Sequence, residues 1–179
     1  MKIGIDVSQL AYSNTGVANY LENLVRELIK SKENEYVLFF SSLRRNTPPS
    51  VDAFAKNSNV SLRTFRFPPI ALNLMWNNFH LFPIENFIGQ VDLFITSDWT
   101  EPPTKKAKKA TILYDLIVYK FPNETDAKII TVQKKKLSWV KKESDLVFCI
   151  SDSTKNDAKE ILHIDKSKLK VIYPGLPLL

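Results

Sequence analysis

The chain has 179 residues, enough for one domain with a sizeable core. Hydrophobic residues make up 44% and charged residues 25%, which excludes a disordered chain and is ordinary for a globular protein. Lys and Arg outnumber Asp and Glu by 25 to 19, a net charge of +6. That balance suits either an anionic partner or a lysine-rich solvated surface.

The single cysteine, Cys149, excludes an intrachain disulfide, and one Cys with two His is too few for a zinc cluster. It lies inside the apolar run LVFCI and reads as a small buried hydrophobe in a reducing, cytoplasmic compartment. No run approaches the ~20 apolar residues of a membrane span. The opening MKIGIDVSQL lacks the long apolar core of a signal peptide and reads as a strand, residues 2–7.

A polar loop follows, and from Val17 the apolar residues fall at 17, 20, 21, 24, 25, 28 and 29. That spacing predicts an amphipathic helix, capped by Asn14 or Thr15, with Gly16 at its mouth. EYVLFFS, residues 35–41, is a continuous apolar strand of the kind buried on both faces of a parallel sheet. SSLRRNTPPS is expected to be a loop. VSLRTFRF, residues 60–67, alternates and predicts an edge strand broken by Pro68-Pro69. Leu72, Met75, Trp76 and Phe79 predict a helix ending at Pro83. Strands are expected over 91–97 and 110–116, a lysine-rich helix over 124–144, and then strand 146–150, a helix capped by Ser151 or Ser153, and strand 169–173. Strands alternating with helices predict an α/β fold, a doubly wound and mostly parallel Rossmann-like sheet with helices on both faces.

In such sheets ligands bind beyond the carboxyl ends of the strands. Those ends carry Ser8 and the loop to Gly16; Asp98, Trp99 and Glu101; Tyr114 and Asp115; and Ser151, Asp152, Ser153 and Lys155. Gly16 at a helix mouth could admit a phosphate to free N–H groups, or could be a permissive turn. Asp115 fits a general base, a sugar-hydroxyl acceptor or a turn cap. Asp98 and Glu101 could pair as carboxylates or sit on a surface loop. His80 is expected to pack among aromatics, and His163 to end a helix. The Lys clusters at 105–109 and 134–142, the second holding Trp139, fit an anionic lipid surface or a solvated helix face. Lysines so scattered make a poor nucleic-acid platform, so no nucleic-acid partner is expected. No glycine-rich dinucleotide fingerprint, P-loop or nucleophile elbow is present, which argues against a nicotinamide oxidoreductase, an NTPase or a serine hydrolase.

Five segments in order resemble the N-terminal domain of group 1 (family 4) glycosyltransferases, retaining enzymes of the GT-B fold. They are KIGIDVSQLAYSNTGVANYLENLVRELI, LMWNNFHLFP, DLFITSDWTEPP, TILYDLIVYKFP and SDLVFCISDSTKNDAKEILHIDKSKLKVIYPG. The resemblance implies that residues 1–173 form the acceptor-side domain of a two-domain enzyme, and that 174–179 begin the linker to an absent donor-binding domain. It implies transfer of a sugar from a nucleotide-sugar to an acceptor hydroxyl, on a glycan, polysaccharide or lipid-linked acceptor, with retained configuration. No cofactor or metal is implied, because the nucleotide-sugar is a substrate. By the same resemblance Gly16 faces the donor diphosphate and Asp115 lies beside the acceptor cleft, as the catalytic candidate. Tyr114, Ser151, Lys155, Trp99 and Glu101 would line the acceptor side. Two positions depart from the pattern: Tyr114 and Ile95 stand where the family often has His, and a Tyr is no proton shuttle near neutral pH. The chain alone is expected to be inactive and cytoplasmic, with peripheral contact at the inner membrane face left open. A non-catalytic subunit that docks on a separate donor-binding or membrane partner remains the alternative.

Overall fold

The structure, a computed structural model, describes residues 1–97 and 99–175. Seven strands form one sheet: β1 (Lys2–Asp6), β2 (Glu35–Ser41), β3 (Val60–Phe65), β4 (Leu93–Thr96), β5 (Lys108–Leu113), β6 (Leu146–Cys149) and β7 (Leu169–Val171). Their order is β3-β2-β1-β4-β5-β6-β7, and every pairing is parallel. The expected edge position of the alternating third strand holds.

The helices are α1 (Gly16–Leu28), α2 (Pro49–Phe54), α3 (Pro69–Leu72), α4 (Glu85–Ile88), α5 (Ile117–Lys120), α6 (Ala127–Glu143) and α7 (Asp152–Glu160). Parallel strands need crossovers, and these helices supply them on both faces. Alternation along β2 shows why its whole run is apolar. Tyr36, Leu38 and Phe40 pack with Leu21 and Val25 of α1 and with Ile29 just after it, whereas Val37 and Phe39 face Trp76, Ile84 and Ile88. A third cluster, with Leu137, Val140, Val147, Cys149 and Leu162, fills the space under α6 and α7.

Several boundaries differ from expectation. α2 occupies part of a segment read as loop, with prolines at its first turn. β5 starts at Lys108 and stops at Leu113, because Asp115 turns the chain: its Oδ1 accepts from the Ile117 N–H at 3.1 Å and opens α5. The helix expected over 72–83 is a single α turn followed by a π-helical turn, Asn73–Asn78. Phe79 N–H donates to Leu74 O five residues back, at 2.9 Å, a bond that apolar spacing alone does not distinguish from an α turn.

Candidate functional site

The order of strands reverses between β1 and β4, and this switch point is where an open α/β sheet leaves a crevice at its carboxyl edge. Two cavities and a smaller one between them lie along that edge.

The first, about 680 Å³, is lined by Gly16, Val17, Tyr20 and Asn23 of α1, by Tyr114 and Asp115 after β5, by Ile150 after β6, and by Pro174 and Gly175 after β7. It is of a size that holds a nucleotide-scale ligand. α1 enters the cavity by its positive end. Thr15 caps it, its Oγ1 accepting from Ala18 N–H at 3.1 Å, which leaves the first-turn amides of Gly16 and Val17 at the cavity wall. A Cβ built on Gly16 meets nothing within 4 Å, so the protein itself does not need glycine there. Tyr20 seals the closing segment onto α1. Its hydroxyl donates to Ile172 O at 2.9 Å, and burial pushes that hydroxyl's pKa up to about 12.

The second cavity, about 500 Å³, opens at the switch point itself. Its floor comes from residues at or just past strand ends: Asp6 closing β1 and Ser8 beyond it, Ser41 closing β2, and Ser97 after β4. Its outer wall is apolar: Phe67, Ile70, Leu72, Trp99 and Val132. Burial raises the pKa of the Asp6 carboxyl, against the bonds it accepts from Ser8. Of these residues Ser8 and Trp99 are read from sequence; Asp6, Ser41 and Ser97 are found only once the strands are in order. The third cavity, about 180 Å³, runs between the other two, walled by Trp99, Tyr114, Asp115 and Gln133.

Beneath this rim lies a buried polar cluster. Glu101 is fully buried, so it does not reach the open edge where an acceptor would lie, contrary to its expected place. Its carboxylate accepts from Thr96 Oγ1 at 2.7 Å and from Thr111 Oγ1 at 3.0 Å, and Lys109 Nζ lies 3.8 Å away. Burial raises its pKa in spite of those donors. Asn77 clamps the loop above: its Oδ1 accepts from Glu101 N–H at 3.0 Å and its Nδ2 donates to Trp99 O at 2.9 Å. Lys136, also buried, donates to the Ser97 carbonyl. Two of the lysines read as basic surface thus hold the site's underside. Asp98, the proposed partner of Glu101, lies outside the described residues.

Gly16, Tyr114 and Asp115 therefore share one cavity, and Trp99 joins Tyr114 and Asp115 in the next. Tyr114 is a wall residue; its hydroxyl is 3.1 Å from Ser97 Oγ and its ring meets Tyr20 edge-on. Asp115 is exposed, with one oxygen accepting from Ile117 N–H in the turn before α5. Ser151 caps α7, accepting from Thr154 N–H at 3.1 Å, and Thr154 Oγ1 donates to Tyr114 O at 3.0 Å. The Ser-x-x-Thr-Lys corner thus fastens α7 to the end of β5, and Lys155 stands half-buried beside it. His80 packs as expected, stacked 3.6 Å from Trp139, and Trp139 in turn donates to Asn77 O. That commits the Trp139 indole to the protein. Among the described residues no three His, Cys, Asp or Glu side chains gather as a metal site would require, and no helix is long and apolar enough to cross a membrane.

Residues 14–178 match the model of Glycosyltransferase Family 4. The chain belongs to that family. No curated protein matches it. Among solved structures, it resembles UDP-GlcNAc 2-epimerase from Neisseria meningitidis bound to UDP-GlcNAc, at 12% identity and a TM-score of 0.56, over 96% of this chain and 46% of that one. A glycosyltransferase from Rickettsia africae ESF-5 aligns at 16% identity and a TM-score of 0.46, over 98% of this chain and 43% of that one. This family-4 chain thus spans less than half the length of either structure. The epimerase likeness shows a common Rossmann-like fold; family membership rests on the matched model.

Proposed function

We propose that this family-4 domain is the acceptor-side half of a glycosyltransferase that moves a sugar from a nucleotide-sugar to an acceptor hydroxyl with retained configuration. The carrying observation is that the mouth of α1 at Gly16, the 114–115 corner and the closing segment 172–175 surround one cavity. In this reading the donor diphosphate lies against the Gly16 and Val17 amides. The bond from the sugar C1 to the diphosphate oxygen breaks, a bond from C1 to the acceptor oxygen forms, and the acceptor proton leaves with the diphosphate. Negative charge grows on the leaving diphosphate, and amides fixed at a helix end stabilise it without reorganising.

The acceptor occupies the second cavity. Its hydroxyls meet Asp6, Ser8 and Ser97 on the floor, and an apolar portion lies against Phe67, Ile70 and Trp99. That division of polar floor and apolar wall favours a sugar carried on a lipid over a free polysaccharide. Asp115 orients a hydroxyl beside the donor, and Ser151 and Lys155 hold the corner on which it sits. A second domain closing over this edge would supply most of the nucleotide contacts, so residues 1–179 alone bind donor weakly and turn over nothing.

Amide chemical shifts followed during titration with a nucleoside diphosphate test this reading. Shifts confined to residues 16–23 and 114–115 are expected. Shifts confined to the opposite edge of the sheet, or none at millimolar ligand, overturn it.

A further inference from the structure

Four consecutive residues, Phe79-His80-Leu81-Phe82, follow the π turn and form a knuckle on the outer side of the α3–α4 layer. Phe79, Leu81 and Phe82 are 67%, 53% and 56% exposed. These are apolar side chains more than half exposed in one short turn. A run of this kind is costly on a globular surface unless something covers it.

The backbone is held in that shape against its own preference. His80 and Phe82 have φ of 53° and 58°, the left-handed region that bulky residues avoid. The surroundings enforce it. His80 Nδ1 is 2.8 Å from Trp76 O, its Nε2 is 2.8 Å from Glu143 Oε1, and Trp76 Nε1 donates to Phe82 O at 3.0 Å. Asn or Gly at 82 would adopt this turn with less strain.

The charge beside the knuckle fixes the partner. Lys135 Nζ donates to Asn78, and Lys142 Nζ stands 4.6 Å from the centroid of the Trp139 ring that stacks on His80. The adjacent acid, Glu143, is already bound to Lys109 and His80. An exposed apolar turn flanked on the α6 side by Lys135 and Lys142, on a chain of net charge +6, is complementary to an anionic bilayer.

We propose that residues 79–82 insert into the interfacial layer of an anionic lipid membrane, with Lys135 and Lys142 on its headgroups. The docking does not depend on the catalytic reading. One consequence does: Leu74 and Ile70, on the turns just before the knuckle, are exposed as well, and Ile70 is a wall of the second cavity, so a bilayer that also met these two residues would bring lipid-borne acceptors toward that wall.

Co-sedimentation of the full chain with vesicles tests the docking. Pure phosphatidylcholine is compared with phosphatidylcholine containing phosphatidylglycerol. The chain is expected to partition onto the anionic vesicles, less so as salt rises. A Phe79→Ser, Leu81→Ser, Phe82→Asn variant is expected to lose at least about tenfold in partitioning, the effect of removing three interfacial apolar groups. Lys135→Gln with Lys142→Gln is expected to abolish the preference for anionic over neutral vesicles. As a check that needs no destabilising change, Phe79→Cys can carry a polarity-sensitive fluorophore, because native Cys149 is buried. A blue shift on adding anionic vesicles supports insertion. Equal partitioning of the triple variant and the parent, no blue shift, or a reversible dimer that the triple variant loses without any vesicle binding each overturn it.

Discussion

Glu101 Oε1 and Lys109 Nζ stand 3.8 Å apart, and both side chains are sealed from solvent, at 0% and 1% exposure. Lys109 also donates to Glu143 Oε2 at 2.6 Å, so it links the buried carboxylate to one at the surface. A buried charge stripped of its partner keeps its desolvation penalty and loses its compensation. Lys109→Met is therefore expected to destabilise the fold by about 3–5 kcal/mol. Adding Glu101→Gln should return part of that loss, because no carboxylate is then left uncompensated. Urea unfolding of the two single variants and the double variant measures the coupling; strictly additive losses would remove the pair as its cause.

The same cluster fixes the sign of part of the pH dependence. Burial raises the pKa of Glu101 and of Asp6, so the folded state holds their protons to higher pH than the unfolded chain does. Their contribution to stability is complete below the ordinary carboxylate range and is lost as pH rises through the folded values. Glu143 runs the other way: burial opposes it, but bonds from Lys109 and His80 lower its pKa, so its contribution is present above 4.5 and lost as pH falls. Glu101→Gln is expected to flatten the fall in urea midpoint as pH rises above the ordinary carboxylate range. An unchanged slope would mean that Glu101 is not the group that binds the proton there.

The sheet was legible because parallel strands are buried on both faces, and EYVLFFS or LVFCI can satisfy that only as a continuous apolar run. The placing of Gly16, Tyr114 and Asp115 on one edge was legible because sequence order reports which residues follow a strand or open the helix after it. Lys109 and Lys136 were not. A lysine among lysines reads as surface, and only tertiary pairing with Glu101, Glu143 and the Ser97 carbonyl shows otherwise. Asp6, Ser41 and Ser97 lie on three different strands, so their common floor exists only once β1, β2 and β4 are adjacent. The π turn was hidden because residues 72, 75, 76 and 79 fit an α-helix equally well.

Gly16 separates folding from ligand binding. Open space surrounds its Cβ position, and a side chain at the first turn of a helix reduces the entropy of the unfolded chain. Gly16→Val is expected to leave thermal stability unchanged or slightly raised. It should weaken nucleoside-diphosphate binding about tenfold, because a branched side chain occupies the space in which a phosphate approaches the amides. Calorimetric titration beside a thermal melt reads both, and undiminished binding would place the diphosphate elsewhere.

The corner after β6 makes a graded prediction. Ser151→Ala removes the cap from α7, which costs about 1 kcal/mol. Thr154→Val removes the hydroxyl that donates to the Tyr114 carbonyl, a buried bond whose loss costs about 1 kcal/mol. The two hydroxyls touch at 3.0 Å, so the double variant should lose less than the sum of the two. Because Thr154 holds the end of β5 beside Asp115, its loss should also broaden the amide signals of residues 114–117, whereas Ser151→Ala should leave them sharp.

Cys149 is fully buried, and burial pushes its thiol pKa up to about 11, with Lys155 pulling weakly the other way. The thiolate is the reactive form, and at neutral pH it is nearly absent in the folded chain. Modification by a disulfide reagent is therefore expected to proceed only as fast as the protein opens, with a rate that rises with urea in step with unfolding. Rapid modification of the native chain at neutral pH would show that the strand carrying Cys149 opens locally, well short of global unfolding.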